Sequence, residues 1–148
     1  MTAAGLMLAT QEPGNVTGQT TSIARMPFVH TETVRFRDVD SMGHMNNAVY
    51  ATFLEQARIA FLQPRGADQS TMILARLEID FRAPVATGEE VAIEVRPGGI
   101  GAKSFELEYT MRVAERVVAE ARSVLVAYDY GAARAVEVPS DLREALAA

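Results

Sequence analysis

Arg35-Phe36-Arg37-Asp38-Val39-Asp40-Ser41-Met42-Gly43-His44-Met45-Asn46-Asn47-Ala48-Val49-Tyr50 is the stretch on which the reading of this chain turns. Its first residues close a strand-like run over 29–37, in which Val34 and Phe36 alternate loosely with polar neighbours. Its middle puts Asp, Gly and Asn in quick succession, the side chains that bond their own backbone or tolerate a left-handed turn. Its end opens a helix over 48–62, because Tyr50, Phe53, Leu54, Ala57 and Phe61 recur at three- and four-residue spacing and fall on one face. Thr52, Glu55, Gln56 and Arg58 lie off that stripe. Asn46 or Asn47 is suited to the N-cap, where its side-chain oxygen accepts one of the backbone N–H groups that the first turn leaves over. Pro64 and Gly66 stop the helix.

Working outward, a loop over 66–70 leads into four strand-like segments, at 71–81, 89–96, 103–113 and 117–128. The third is the clearest, with Phe105, Leu107, Tyr109, Met111 and Val113 alternating with Glu106, Glu108, Thr110 and Arg112. Pro84, Thr87-Gly88, Gly98-Gly99 and Glu115-Arg116 mark the turns. Connections this short make the strands antiparallel neighbours. Pro139-Ser140-Asp141-Leu142 reads as the capped start of a short helix with Leu142 and Leu146 on one face. One long amphipathic helix and a set of antiparallel strands predict an α+β domain, the helix lying against a curved sheet whose open edge suits self-association.

Residues 1–26 are polar, rich in Thr, Gly and Gln, and without periodicity, so a flexible N-terminal extension is expected there and the domain proper over 27–148. Gly5-Leu6-Met7-Leu8-Ala9 is too short for a secretion signal and has no basic segment before it, which makes Asn15-Val16-Thr17 a chance glycosylation match and the cytoplasm the expected location. The 148 residues suit one domain, and 49% hydrophobic and 22% charged residues are ordinary globular composition. No cysteine is present, which excludes a disulfide framework, a Cys-ligated zinc site and a Cys nucleophile. With only His30 and His44, a His-rich metal site is not expected. A net charge of −5 without a basic cluster argues against nucleic acid as a partner. No apolar run approaches the roughly 18–20 residues of a membrane span.

The quoted stretch also carries chemistry. A carboxylate stands a few residues before a helix start, where free N–H groups and the positive end of the helix dipole gather. Such donors polarise a carbonyl and hold a developing oxyanion, while the carboxylate attacks that carbonyl or activates water. The same residues also serve as plain caps and turn formers, and the physics of the segment alone leaves both readings standing.

The form Asp-x-Asp-x-x-Gly-His-x-Asn-Asn-x-x-Tyr at residues 38–50, followed by Glu55, Ala57 and Arg58, resembles the hotdog-fold acyl-CoA thioesterases of the 4-hydroxybenzoyl-CoA thioesterase-like family, most closely the bacterial fatty-acyl branch. The likeness continues through Phe81-Arg82-Ala83-Pro84 with Thr87-Gly88-Glu89, Lys103-Ser104-Phe105 and Val138-Pro139, and spans 27–146. It implies a long helix wrapped by a curved antiparallel sheet, subunits paired sheet edge to sheet edge as a homodimer or homotetramer, and a site at the dimer interface. It implies hydrolysis of a fatty acyl thioester without metal or other cofactor. Asp40 takes the place of the catalytic carboxylate and the backbone N–H of Asn47 that of the oxyanion donor. Gly43, Asn46 and Tyr50 are candidate substrate contacts, with Gly43 permitting the tight turn, Asn46 capping the helix and Tyr50 sharing its ring with the core. His44 is a candidate to contact substrate or orient the loop. Glu55 is an outside candidate, because another hotdog branch carries its carboxylate on the helix; otherwise it pairs with Arg58 or faces solvent. Asp38 reads as a turn residue or a partner of Arg35 or Arg37. Arg82, Arg96, Lys103 and Ser104 are candidate contacts for the phosphates of coenzyme A. Some family members carry basic residues just before the Lys-Ser pair, where this chain has Gly101 and Ala102, which leaves room for an acyl carrier protein as the leaving group. The rival expectations are a hotdog dehydratase or hydratase using His44, and a non-catalytic acyl-thioester binding module.

Overall fold

The computed structural model describes residues 26–148. The extension expected over 1–26 and the sequon at Asn15 therefore fall, all but Met26, outside the described residues. Strand β1 (Phe28–Thr33) is followed by a single 3-10 turn (Phe36–Asp38) and helix α1 (Asn47–Leu62). Then come β2 (Met72–Phe81), β3 (Glu90–Ile100), β4 (Ser104–Val113), β5 (Arg116–Asp129), the two-residue β6 (Arg134–Ala135) and helix α2 (Ser140–Ala147). All pairings are antiparallel, in the order β1-β3-β4-β5-β2, with β6 added to β5. The sheet curls as a half-barrel around α1, the α+β arrangement the element order predicts.

The core is built as the helical stripe demands. Tyr50, Phe53, Leu54, Ala57 and Phe61 are all buried, in one cluster with Val91, Ile93, Val95, Phe105, Leu107, Tyr109 and Met111 from the facing sheet. Alternation along β4 sends Glu106, Glu108 and Arg112 away from that core. The buried hydroxyls of Tyr109 and Ser123 satisfy each other at 2.7 Å across β4 and β5. Leu142 and Leu146 of α2 are buried, as their spacing requires.

Several expectations are corrected. The first strand stops at Thr33 rather than running to Arg37, because Asp38 accepts the backbone N–H of Arg35 at 2.8 Å and turns the chain. Gly98-Gly99 is not the turn between β3 and β4. The strand continues through Pro97 to Ile100 with a bulge, and a side chain at Gly98 would meet Cβ of Glu106 at 3.1 Å, so glycine admits the close approach. Helix α2 starts after Pro139 with no side-chain cap. Strands consecutive in the chain pair from β3 through β4 and β5 to β6, but β1 pairs with β3 and β2 with β5 on the far side of the sheet, so β2 neighbours neither β1 nor β3. The connection 82–89 carries the chain across, and on its way Val85 accepts the N–H of Met45 at 2.7 Å. That crossing segment supports the start of α1. Among the described residues no helix is long and apolar enough to cross a membrane.

Candidate active site

The loop before α1 is a small closed hairpin. Val39 and Met45 form an antiparallel bridge, and His44 bridges to Ala86 of the crossing segment. Inside it the Asp40 N–H donates to the His44 carbonyl at 2.8 Å, and the Gly43 N–H donates to the Asp40 carbonyl at 3.0 Å. Oδ1 of Asp40 accepts the N–H of Met42 at 2.8 Å and that of His44 at 3.2 Å. Its other oxygen, Oδ2, takes no bond among the described residues, and the side chain stands exposed. Gly43 closes the loop at φ +77°, a left-handed conformation that costs an L side chain strain. The ring of exposed His44 makes no hydrogen bond among the described residues; its backbone holds the loop.

Beneath the loop lies Asp38, buried, with both carboxylate oxygens on Arg35. Nε donates to Oδ2 at 3.0 Å and Nη2 to Oδ1 at 3.2 Å. Hydrogen bonding to the guanidinium holds the Asp38 carboxyl below the usual carboxylate range, against the opposing effect of burial. The Asp38 carbonyl accepts the Asn46 N–H at 2.8 Å, which ties this pair to the helix start. Asn46 is the N-cap, its side-chain oxygen accepting the N–H of Ala48 at 3.0 Å. The next residue, Asn47, is the first of the helix, and its N–H donates to nothing among the described residues. A pinned carboxylate with one open oxygen and an unused N–H at the positive end of a sixteen-residue helix thus share one exposed loop.

The remaining candidates are placed as follows. Tyr50 is 3% exposed; its hydroxyl donates to the Ala83 carbonyl at 3.3 Å and its ring meets Phe81 edge-on at 4.9 Å, so it braces the crossing segment. Burial pushes its phenol above the ordinary value. Glu55 is exposed and eight residues along α1 from Asn47, about 12 Å at the helical rise. No ion pair joins it to Arg58 among the described residues, and Arg58, placed off the apolar stripe by its spacing, is in fact buried. Arg82 is committed to Glu120 at 3.1 Å and Asp80 at 3.8 Å. Arg96 bonds Glu94 and the hydroxyl of Thr110. Lys103 is exposed in the turn before β4, where Ser104 pairs with Val126, whereas Phe81 pairs with Ala119. Seven residues of β5, about 23 Å, thus separate the Arg82 end from the Lys103 end within one subunit. No group of three or more His, Asp and Glu side chains suited to a metal ion occurs among the described residues.

Reasoning from sequence missed the docking of residues 83–86 against the loop, which is made by backbone groups and leaves no side-chain signature. It also read Phe36 as a strand residue and gave Met42 no role, whereas Phe36 lies in the 3-10 turn and the two are 86% and 76% exposed. Two large apolar residues inside a turn were the available signal.

Comparison with known proteins gives this geometry its relatives. The family model described as the thioesterase-like superfamily matches residues 34–146. A 1,4-dihydroxy-2-naphthoyl-CoA hydrolase of Nostoc punctiforme is 29% identical over 125 residues, 79% of this chain and 84% of that protein. A chloroplastic acyl-acyl carrier protein thioesterase of Arabidopsis thaliana is 25% identical over 119 residues, 74% of this chain and 62% of that protein. A Thermus thermophilus thioesterase solved with coenzyme A and Zn superposes with a TM-score of 0.74 at 34% identity, over 80% of this chain and 90% of that one.

Proposed function

The chain belongs to the thioesterase-like superfamily, a hotdog-fold thioesterase by sequence and structure, and from that premise we propose that it hydrolyses acyl-CoA using Asp40. The observation that carries the residue assignment is the pinning of Oδ1 by two backbone N–H groups, which leaves Oδ2 without a hydrogen-bond partner among the described residues, in the same loop that leads to the unused N–H of Asn47. The thioester carbonyl sits between them. Oδ2 either attacks the carbonyl carbon, giving a mixed anhydride that water then cleaves, or takes a proton from an attacking water. In both routes the Asn47 N–H holds the carbonyl oxygen as it becomes negative, the C–S bond breaks, and the thiolate leaves to be protonated. A single donor of this kind is worth about 10²–10³ in rate. Gly43 and Asn46 keep the two groups in place, and His44 orients the loop through its backbone.

The site is open on one side in a single subunit, and a second copy supplies the missing wall. Strand β2 is an edge of the sheet, with Leu74 and Phe81 partly exposed on it, and Phe36 and Met42 of the segment leading to α1 are exposed. Pairing β2 to β2 of a second subunit covers the edge and makes a homodimer, or pairs of dimers. Lys103 and Ser104 of the second subunit are then candidates for the coenzyme's phosphates. The acyl group is apolar. A fatty chain follows from the branch that the motif resembles, and an aromatic acyl group stands beside it because the Nostoc relative is named for one. An acyl carrier protein is the second reading for the leaving group, since the sequence has Gly101 and Ala102 just before the Lys-Ser pair, where some family members carry basic residues. An acyl thioester substrate fits a cytoplasmic location.

The test is thiol release from a panel of short, long and aromatic acyl-CoAs and one acyl carrier protein thioester. Turnover of at least one acyl-CoA supports the proposal and reads out the acyl preference. Hydration of an enoyl-CoA without thiol release would instead make the chain a hydratase, and retention of intact thioester would make it a binding module.

A further inference from the structure

Arg58 projects from α1 with only 7% of its surface exposed, and its Nη1 has no hydrogen-bond partner among the described residues. No carboxylate among the described residues lies within ion-pair distance of it. A buried guanidinium nitrogen without an acceptor is costly, and native proteins seldom leave one so. Arg58 lines a cavity of about 420 Å³. Ile59, Leu62, Met72 and Leu125 give the cavity apolar walls, while Glu55 and Asp68 also border it. Neither acid serves the arginine: Asp68 is bonded to the N–H and hydroxyl of Ser70, and Glu55 makes no ion pair among the described residues. Asn47 is eleven residues away along α1, about 16 Å, so this cavity is distinct from the Asp40 loop of the same subunit.

We propose that this cavity binds a small organic acid with an apolar body, its carboxylate paired to Arg58. The planar guanidinium matches a carboxylate in a two-bond fork, and the volume lies within the roughly 300–1,000 Å³ usual for small-ligand pockets. The acid is either the product of this chain's own hydrolysis or an acid from elsewhere. The proposal rests on the hydrolase reading only for the first of these sources.

The experiment is calorimetric titration of the full chain in its native assembly with 1-naphthoate and octanoate, and with the corresponding primary amides. Binding is read directly, without turnover, so failure here leaves the Asp40 assignment standing and failure of that assignment leaves this one testable. The expected result is binding of an acid at least roughly tenfold tighter than its amide, as loss of a charge-assisted bond implies, and a similar loss in Arg58→Met. The acid–amide comparison on the unaltered protein decides the matter even if the variant does not fold. Repeating the titration with a non-hydrolysable thioether analogue of acyl-CoA bound separates the sources: displacement of the acid marks it as product, and simultaneous binding marks a separate acid. No binding of either acid, equal binding of acid and amide, or undiminished binding by folded Arg58→Met would overturn the proposal.

Discussion

Two aspartates two residues apart have opposite surroundings. Asp38 is buried and forked onto Arg35, whereas Asp40 is exposed and held by backbone N–H groups with one oxygen free. Their roles divide accordingly. The Asp38 carboxyl is depressed in the fold, so its stabilising effect is fully present above the unfolded value of about 4 and is lost as pH falls through the lower folded value. Asp38→Asn is therefore expected to melt below the parent near neutral pH, with the gap closing under acid conditions; thermal melts across that range check it. A gap unchanged by acid would mean the charge is idle. Gly43 is a separate case, since a Cβ there meets nothing within 4 Å and the obstacle is its φ of +77° alone. Gly43→Ala should cost about 1–2 kcal/mol from left-handed strain, and Gly43→Asn less, because Asn tolerates that region. Denaturant melts give the order, and thiol-release rates should fall in the same order if the turn sets the position of Asp40.

Helix α1 joins fold and site in one element. Its apolar stripe was legible because burial of Tyr50, Phe53, Leu54, Ala57 and Phe61 follows directly from the 3.6-residue period. Its start was legible to within a residue, because Asn46 is a cap by its chemistry. The turn around Asp40 could be located for the same reason, as turn residues ahead of a cap, but the choice of Asp40 as the carboxylate came from the resemblance of residues 38–50 to a family motif. Arg58 was not legible, since nothing in spacing alone says that a long cation will be enclosed beside the stripe. Strand order was also out of reach: the crossing at 82–89 is fixed by backbone bonds to Val34, Met45 and Val118 rather than by local pattern. Leu54→Ala should destabilise the domain by about 2–5 kcal/mol, as for other fully buried leucines. Asn46→Ala should cost only ~1 kcal/mol in melts and yet lower turnover, because it loosens the helix start that presents the Asn47 N–H. Equal activity in Asn46→Ala would detach the cap from the chemistry.

At the scale of the molecule, the β2 edge of the curled sheet and the exposed Phe36 and Met42 are the grounds on which self-association is proposed. Sedimentation equilibrium is expected to give a dimer or tetramer. Leu74→Asp on β2 should weaken assembly and turnover together, by placing like charges near the axis that relates the two edges. A monomer with full activity would refute the shared site. Asp40 is the central claim, and kcat for thiol release from the best acyl-CoA, compared between the parent and a folded Asp40→Asn, tests it most directly. If Asp40 carries the reaction, kcat falls by about 10²–10⁴ with an unchanged melting profile, the usual range for removing a positioned acid–base group; a folded Asp40→Asn that hydrolyses at the parent's rate would contradict that role.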